Sequence, residues 1–60
     1  MEFILFLDFF TNKSIDGYKG YIMSAPDKDD EIILDSGCYT VVKRRFNFKT
    51  KTLTVWLIKR

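Results

Sequence analysis

Cys38-Tyr39-Thr40-Val41-Val42-Lys43-Arg44-Arg45-Phe46-Asn47-Phe48 decides the fold. Alternate side chains of a strand face opposite sides. Tyr39, Val41, Lys43, Arg45 and Asn47 share one parity, and Cys38, Thr40, Val42, Arg44, Phe46 and Phe48 share the other. The apolar set therefore changes sides midway, from Tyr39 and Val41 to Phe46 and Phe48. A bulge or strong bend near Lys43–Arg45 does this by shifting the pleat one residue. Strands that bend and switch sides are how small barrels close.

Working outward, Lys49 to Thr52 reads as a hairpin loop and Leu53 to Lys59 as the last strand. Leu53, Val55 and Leu57 fall on one of its faces, and Thr54, Trp56 and Ile58 on the other. Upstream, Glu31 to Leu34 is a short strand closed by a tight turn at Asp35-Ser36-Gly37. Ala25 to Asp30 is a polar loop, where Pro26 removes a backbone donor. Tyr21-Ile22-Met23 reads as a short strand after Gly17 and Gly20, and Thr11 to Ser14 as a turn. Phe3 to Phe10 is the first strand, apolar on both parities. Asp8 shares its parity with Ile4, Phe6 and Phe10, so that side is expected to be the less buried one. No helical period or repeat competes. Residues 1–60 are expected to form a single all-β domain, a small five-stranded, strongly bent barrel.

A chain of 60 residues buries only about 60% of the surface its unfolded form exposes, so it needs a dense core, a staple or a partner. Cys38 is the only cysteine and there is no histidine, which excludes a disulfide or zinc staple. The composition supplies a core instead, with six Phe, three Tyr and one Trp. On a small barrel these exceed what one interior holds, and Phe9, Phe10, Trp56 and Ile58 are the candidates left outside.

Catalysis lacks its parts. Without histidine there is no imidazole base for Cys38. Ser14, Ser24 and Ser36 sit in turns without a nucleophile elbow, and no glycine-rich phosphate loop occurs. Asp27, Asp29, Asp30 and Glu31 lack the mid-loop glycine and distal acid of a calcium loop and read as a solvated run. The expectation is a non-enzyme with no metal and no cofactor.

Charge is divided along the chain. Met1 to Asp35 carries eight acids against three lysines, and Ser36 to Arg60 carries seven bases and no acid. Either this marks an anion-binding surface, or the two segments neighbour each other and partly cancel. The basic hairpin is the most informative feature: Lys43, Arg45, Trp56 and Ile58 share a face, Lys59 closes it, and Tyr39 joins them or turns inward after the bend. Cations interleaved with aromatics suit a single-stranded DNA or RNA binder. They equally suit a protein interface, where Trp, Tyr and Arg are the usual anchors. A core role for Trp56 beneath a solvated edge is the plainest alternative. An aromatic cage from Tyr18, Tyr21, Tyr39 and Trp56 is set aside, because rings in a small barrel are ordinarily core.

From Pro26 to Leu57 the chain resembles a group of small phage and prophage proteins of low-GC Gram-positive bacteria. The pattern is Pro26, Asp30, Ile32-Ile33-Leu34, Gly37, then Tyr39-Thr40-Val41-Val42-Lys43-Arg44-Arg45-Phe46, then Leu53 to Leu57. Asp29 stands where such proteins usually place a glycine before the acid. The resemblance implies an SH3-like barrel and a phage-encoded accessory protein that binds, and inhibits or modulates, a host protein. A homodimer would use the same apolar surface. The lone thiol, and an apolar start too short to span a bilayer, make the expected location the cytoplasm, that of the host cell if phage-encoded, with no membrane partner.

Overall fold

The computed structural model describes residues 2–20 and 25–60. Five strands form one sheet: β1 (Glu2–Asp8), β2 (Ser14–Gly20), β3 (Glu31–Leu34), β4 (Gly37–Asn47) and β5 (Thr52–Lys59). Their order is β2-β1-β5-β4-β3. Only the β1–β5 pairing is parallel. The two most apolar strands thus take interior places, where each is paired on both sides. The edges fall to β2, with its glycines and Lys19, and to the four-residue β3. Short or charged strands are the ones that tolerate an open edge.

Two bulges curl this sheet. Val41 sits opposite Leu57 and Lys43 opposite Trp56, so Val42 is the extra residue of β4. The side switch expected near Lys43–Arg45 therefore begins one residue earlier. After it, Arg44 and Phe46 point the way Tyr39 and Val41 do. In β2 the extra residue is Ile15, between Ser14 opposite Leu7 and Asp16 opposite Phe6. A bulge adds local twist and bends its strand, and the result is a curled, open half-barrel. Among the described residues β2 and β3 do not pair with each other, so the expected barrel is not closed.

The inner face of the curl is the core. Ile4, Phe6, Tyr39, Val41, Leu53, Val55 and Leu57 are buried there, with Ile15, Ala25, Ile32, Leu34 and Phe46 packed around them. This corrects the expected polarity of the first strand: the Ile4 and Phe6 side is the buried one. Asp8 shares that parity only formally, because it ends the strand. Its Oδ1 accepts the backbone N–H groups of Phe10 (2.8 Å) and Thr11 (3.1 Å), which turns the chain before Phe9 and Phe10 can extend β1. Strand β2 takes in Ser14 of the expected turn and the two glycines expected to precede a strand, whereas the strand expected at Tyr21–Met23 lies outside the described residues.

The acidic loop docks on β4. Asp29 N–H reaches the Val41 carbonyl at 2.8 Å, and Val41 N–H reaches the Asp30 carbonyl at 2.9 Å. Asp29 adopts φ 74, so the backbone there is of the kind glycine takes most readily and Asp tolerates. Gly37, with φ 139, has a geometry that an L side chain rarely adopts. A Cβ there would also meet Lys59 Cε at 3.0 Å. Gly37→Ala is expected to cost about 1–3 kcal/mol. Because the cause is backbone, adding Lys59→Ala leaves the urea midpoint just as low; recovery would assign the cost to the side-chain contact instead.

Candidate interaction surface

The bulge at Val42 aims the hairpin's cations. It places Lys43 and Arg45 on the outer face of β4, opposite Trp56 and Thr54 of β5. Trp56 belongs to that outer face yet is only 8% exposed. Lys43 Nζ lies 5.0 Å from its ring centroid and the Arg45 guanidinium carbon 5.3 Å. Leu7 of β1 flanks it from the other side. Its indole N–H donates to Asn12 Oδ1 at 2.9 Å. Cations over an aromatic face are held by the ring quadrupole. The hydrogen bond satisfies the one polar atom that burial would otherwise strand.

The six residues singled out from sequence therefore divide. Lys43, Arg45, Trp56 and Ile58 share the outer face, with Ile58 half-buried opposite Thr40. Tyr39 turns inward and is 4% exposed. Its hydroxyl shares a hydrogen bond with the Ser36 hydroxyl. Lys59 stands opposite Tyr39 at the exposed end of β5, its stem beside Gly37. Of the side chains expected to be left outside, Phe9 and Phe10 are exposed, and Trp56 is covered.

Charge cancellation is partial. Arg44 pairs with Asp27 and Arg60 with Glu31, which joins the basic and acidic segments. Exposed pairs of this kind contribute about 0–1 kcal/mol each, so they mainly neutralise. Lys43, Arg45, Lys49, Lys51 and Lys59 form no ion pair among the described residues.

Two aromatic tips complete the surface, at opposite ends of β1 and β5. At one end, the turn capped by Asp8 presents Phe9 and Phe10, edge to face at 5.6 Å, with Phe10 75% exposed. At the other, Asn47 Oδ1 accepts the N–H groups of Lys49 (2.9 Å) and Thr50 (3.2 Å). That turn presents Phe48, 75% exposed and edge to face with Phe46 at 4.8 Å. Phe48 was expected inside on parity, but it lies beyond the end of β4 and so escapes the pleat. At the β3 edge, Glu31, Ile32, Ile33, Cys38 and Arg60 line a depression of about 340 Å³, in which Ile33 is 82% exposed. Among the described residues no three His, Cys, Asp or Glu side chains gather as metal ligands.

Asn12 escaped the sequence reading, although it anchors Trp56. Its φ of 58 is a conformation that Asn tolerates in turns, so the turn was legible. Its partner 44 residues away was not. No family model, curated protein or solved structure matches the chain.

Proposed function

We propose that this chain is a non-enzymatic binding module, a phage-type accessory protein that acts by gripping a host protein and so inhibits or modulates it. The observation that carries this reading is the apolar surface left outside a filled core. Phe3, Phe9, Phe10, Tyr18, Ile33 and Phe48 are all exposed. Phe10 and Phe48 sit on turns locked by side-chain hydrogen bonds, so little freedom is lost when a partner covers them. Large aromatic side chains presented this way are the usual interface anchors. The proposed kinship with SH3-like phage proteins concerns the β3-β4-β5 meander and its bent middle strand, which is the stretch that carries the sequence pattern. The proposed setting is the host cytoplasm.

Immobilised chain incubated with host lysate is expected to retain a protein. Phe10→Ser and Phe48→Ser together are expected to weaken that retention about tenfold or more, while the far-UV spectrum stays unchanged. Retention indifferent to both substitutions would remove the aromatic tips from the interface. A homodimer through the same surface would instead sediment with a concentration-dependent mass.

The alternative is a single-stranded DNA or RNA binder using Lys43, Arg45, Trp56 and Lys59. The cations that form no ion pair among the described residues favour it. The covered indole does not, since stacking needs an open ring face. An oligonucleotide titration at two salt concentrations decides, because phosphate contacts weaken steeply with salt.

A further inference from the structure

Lys43 and Arg45 are like charges two residues apart on one face of β4, and both lie over the same indole. Neither forms an ion pair among the described residues. Their mutual repulsion is relieved by an anion placed between them. Stacking on Trp56 holds both heads, so an oxyanion meets donors already in position. Across β5 from them, on the same face of β1, Leu5 and Leu7 are half-buried and Phe3 is exposed. Gly17 stands opposite Leu5 on β2, and the Phe3 ring lies over it, its Cζ 3.0 Å from where a Cβ would sit. A strip of apolar carbon therefore lies one strand away from the two cations, with Trp56 and Thr54 of β5 between them.

We infer that this outer face receives an acidic segment of the protein partner, its carboxylates on Lys43 and Arg45 and its apolar side chains on Leu5, Leu7 and Phe3. The inference rests on the protein-binding function proposed above and names the chemistry of the partner. Charge complementarity sets the occupant's sign, and the apolar strip sets its class. A nucleic acid carries no long aliphatic side chains to lay on Leu5 and Leu7, and the covered Trp56 offers its bases no platform. The exposed acids flanking β3, Asp29, Asp30 and Asp35, disfavour an extended polyanion more than a segment that carries its charge locally.

Trp56 is the only tryptophan, so its emission reports on the seat directly. The probes are a synthetic peptide of alternating leucine and glutamate, its leucine–lysine counterpart, and oligothymidylate. The glutamate peptide is expected to shift Trp56 emission and saturate at low salt, and the lysine peptide to do neither. Lys43→Gln and Arg45→Gln are each expected to weaken binding about tenfold, the loss of one charge-assisted contact. Oligothymidylate binding as tightly with the same signal overturns the inference. So does a double variant that binds the glutamate peptide undiminished, or silence at low salt. Where a captured host protein is lost with Phe10→Ser and Phe48→Ser but kept by the double glutamine variant, protein binding stands and the acidic-segment assignment falls. Where no host protein is captured, protein binding falls, and the peptide titration alone decides the seat.

Discussion

Leu57→Ala is expected to leave much of the chain unfolded at 25 °C. Leu57 is fully buried on the inner face of β5, opposite Val41 of β4 and Asp8 of β1. Truncating a buried leucine costs about 2–5 kcal/mol, from lost transfer energy and the cavity left behind. A domain of 60 residues has only about 3–9 kcal/mol in total, at the usual stability per residue. No disulfide offsets the loss, because Cys38 is free. With a urea m-value of about 1 kcal/mol/M, the midpoint falls by about 2–5 M. Thr54→Ala, on the opposite face of the same strand, is the control and is expected to stay within about 0.5 kcal/mol. Equal effects at the two positions would mean that the curl does not separate an inside from an outside.

Trp56→Ala is expected to cost about 3 kcal/mol, comparable to a core deletion although the residue belongs to the outer face. Its burial comes from Leu7, Lys43, Arg45 and Asn12 rather than from the inner core. Two parts of that loss can be separated. Trp56→Phe keeps a ring beneath the cations but has no N–H for Asn12, and is expected to cost about 1 kcal/mol from the hydrogen bond plus a smaller packing loss. Asn12→Gly removes the acceptor without straining the positive φ, and is expected to cost a similar amount. Combined, the two substitutions are expected to lose less than their sum by about 1 kcal/mol, because they delete the same bond. Full additivity in urea titrations would show that the indole and the β1–β2 turn are not joined.

Strand content was legible wherever β-branched and aromatic residues ran together. Glu31–Leu34, the long strand and the last strand were readable to within a residue or so of their ends. The bend in β4 was readable too, because a change of apolar parity has few other causes. The misreadings share one origin, which is partner identity. Asp8 looked like a mark of exposure on the Ile4–Phe6 side, yet its carboxylate caps a turn. The strand at Ser14–Gly20 has weak propensity and exists because β1 offers it a ladder. Phe48 continued the inward parity but fell past the last rung.

The candidate surface shows the same limits. That Lys43 and Arg45 share a side with Trp56 follows from counting residues once the bulge is known. That they lie over the ring and cover it depends on side-chain placement across two strands. Sequence alone determined that the chain is a small all-β domain with a single cysteine, no imidazole and a cationic final hairpin, because these follow from residue types and from a period of two. Only the tertiary structure decided the parallel β1–β5 pairing, the open curl, the inward turn of Tyr39 and the cover over Trp56. Those depend on contacts between residues tens of positions apart, and local pattern carries no record of which distant partner a face will meet.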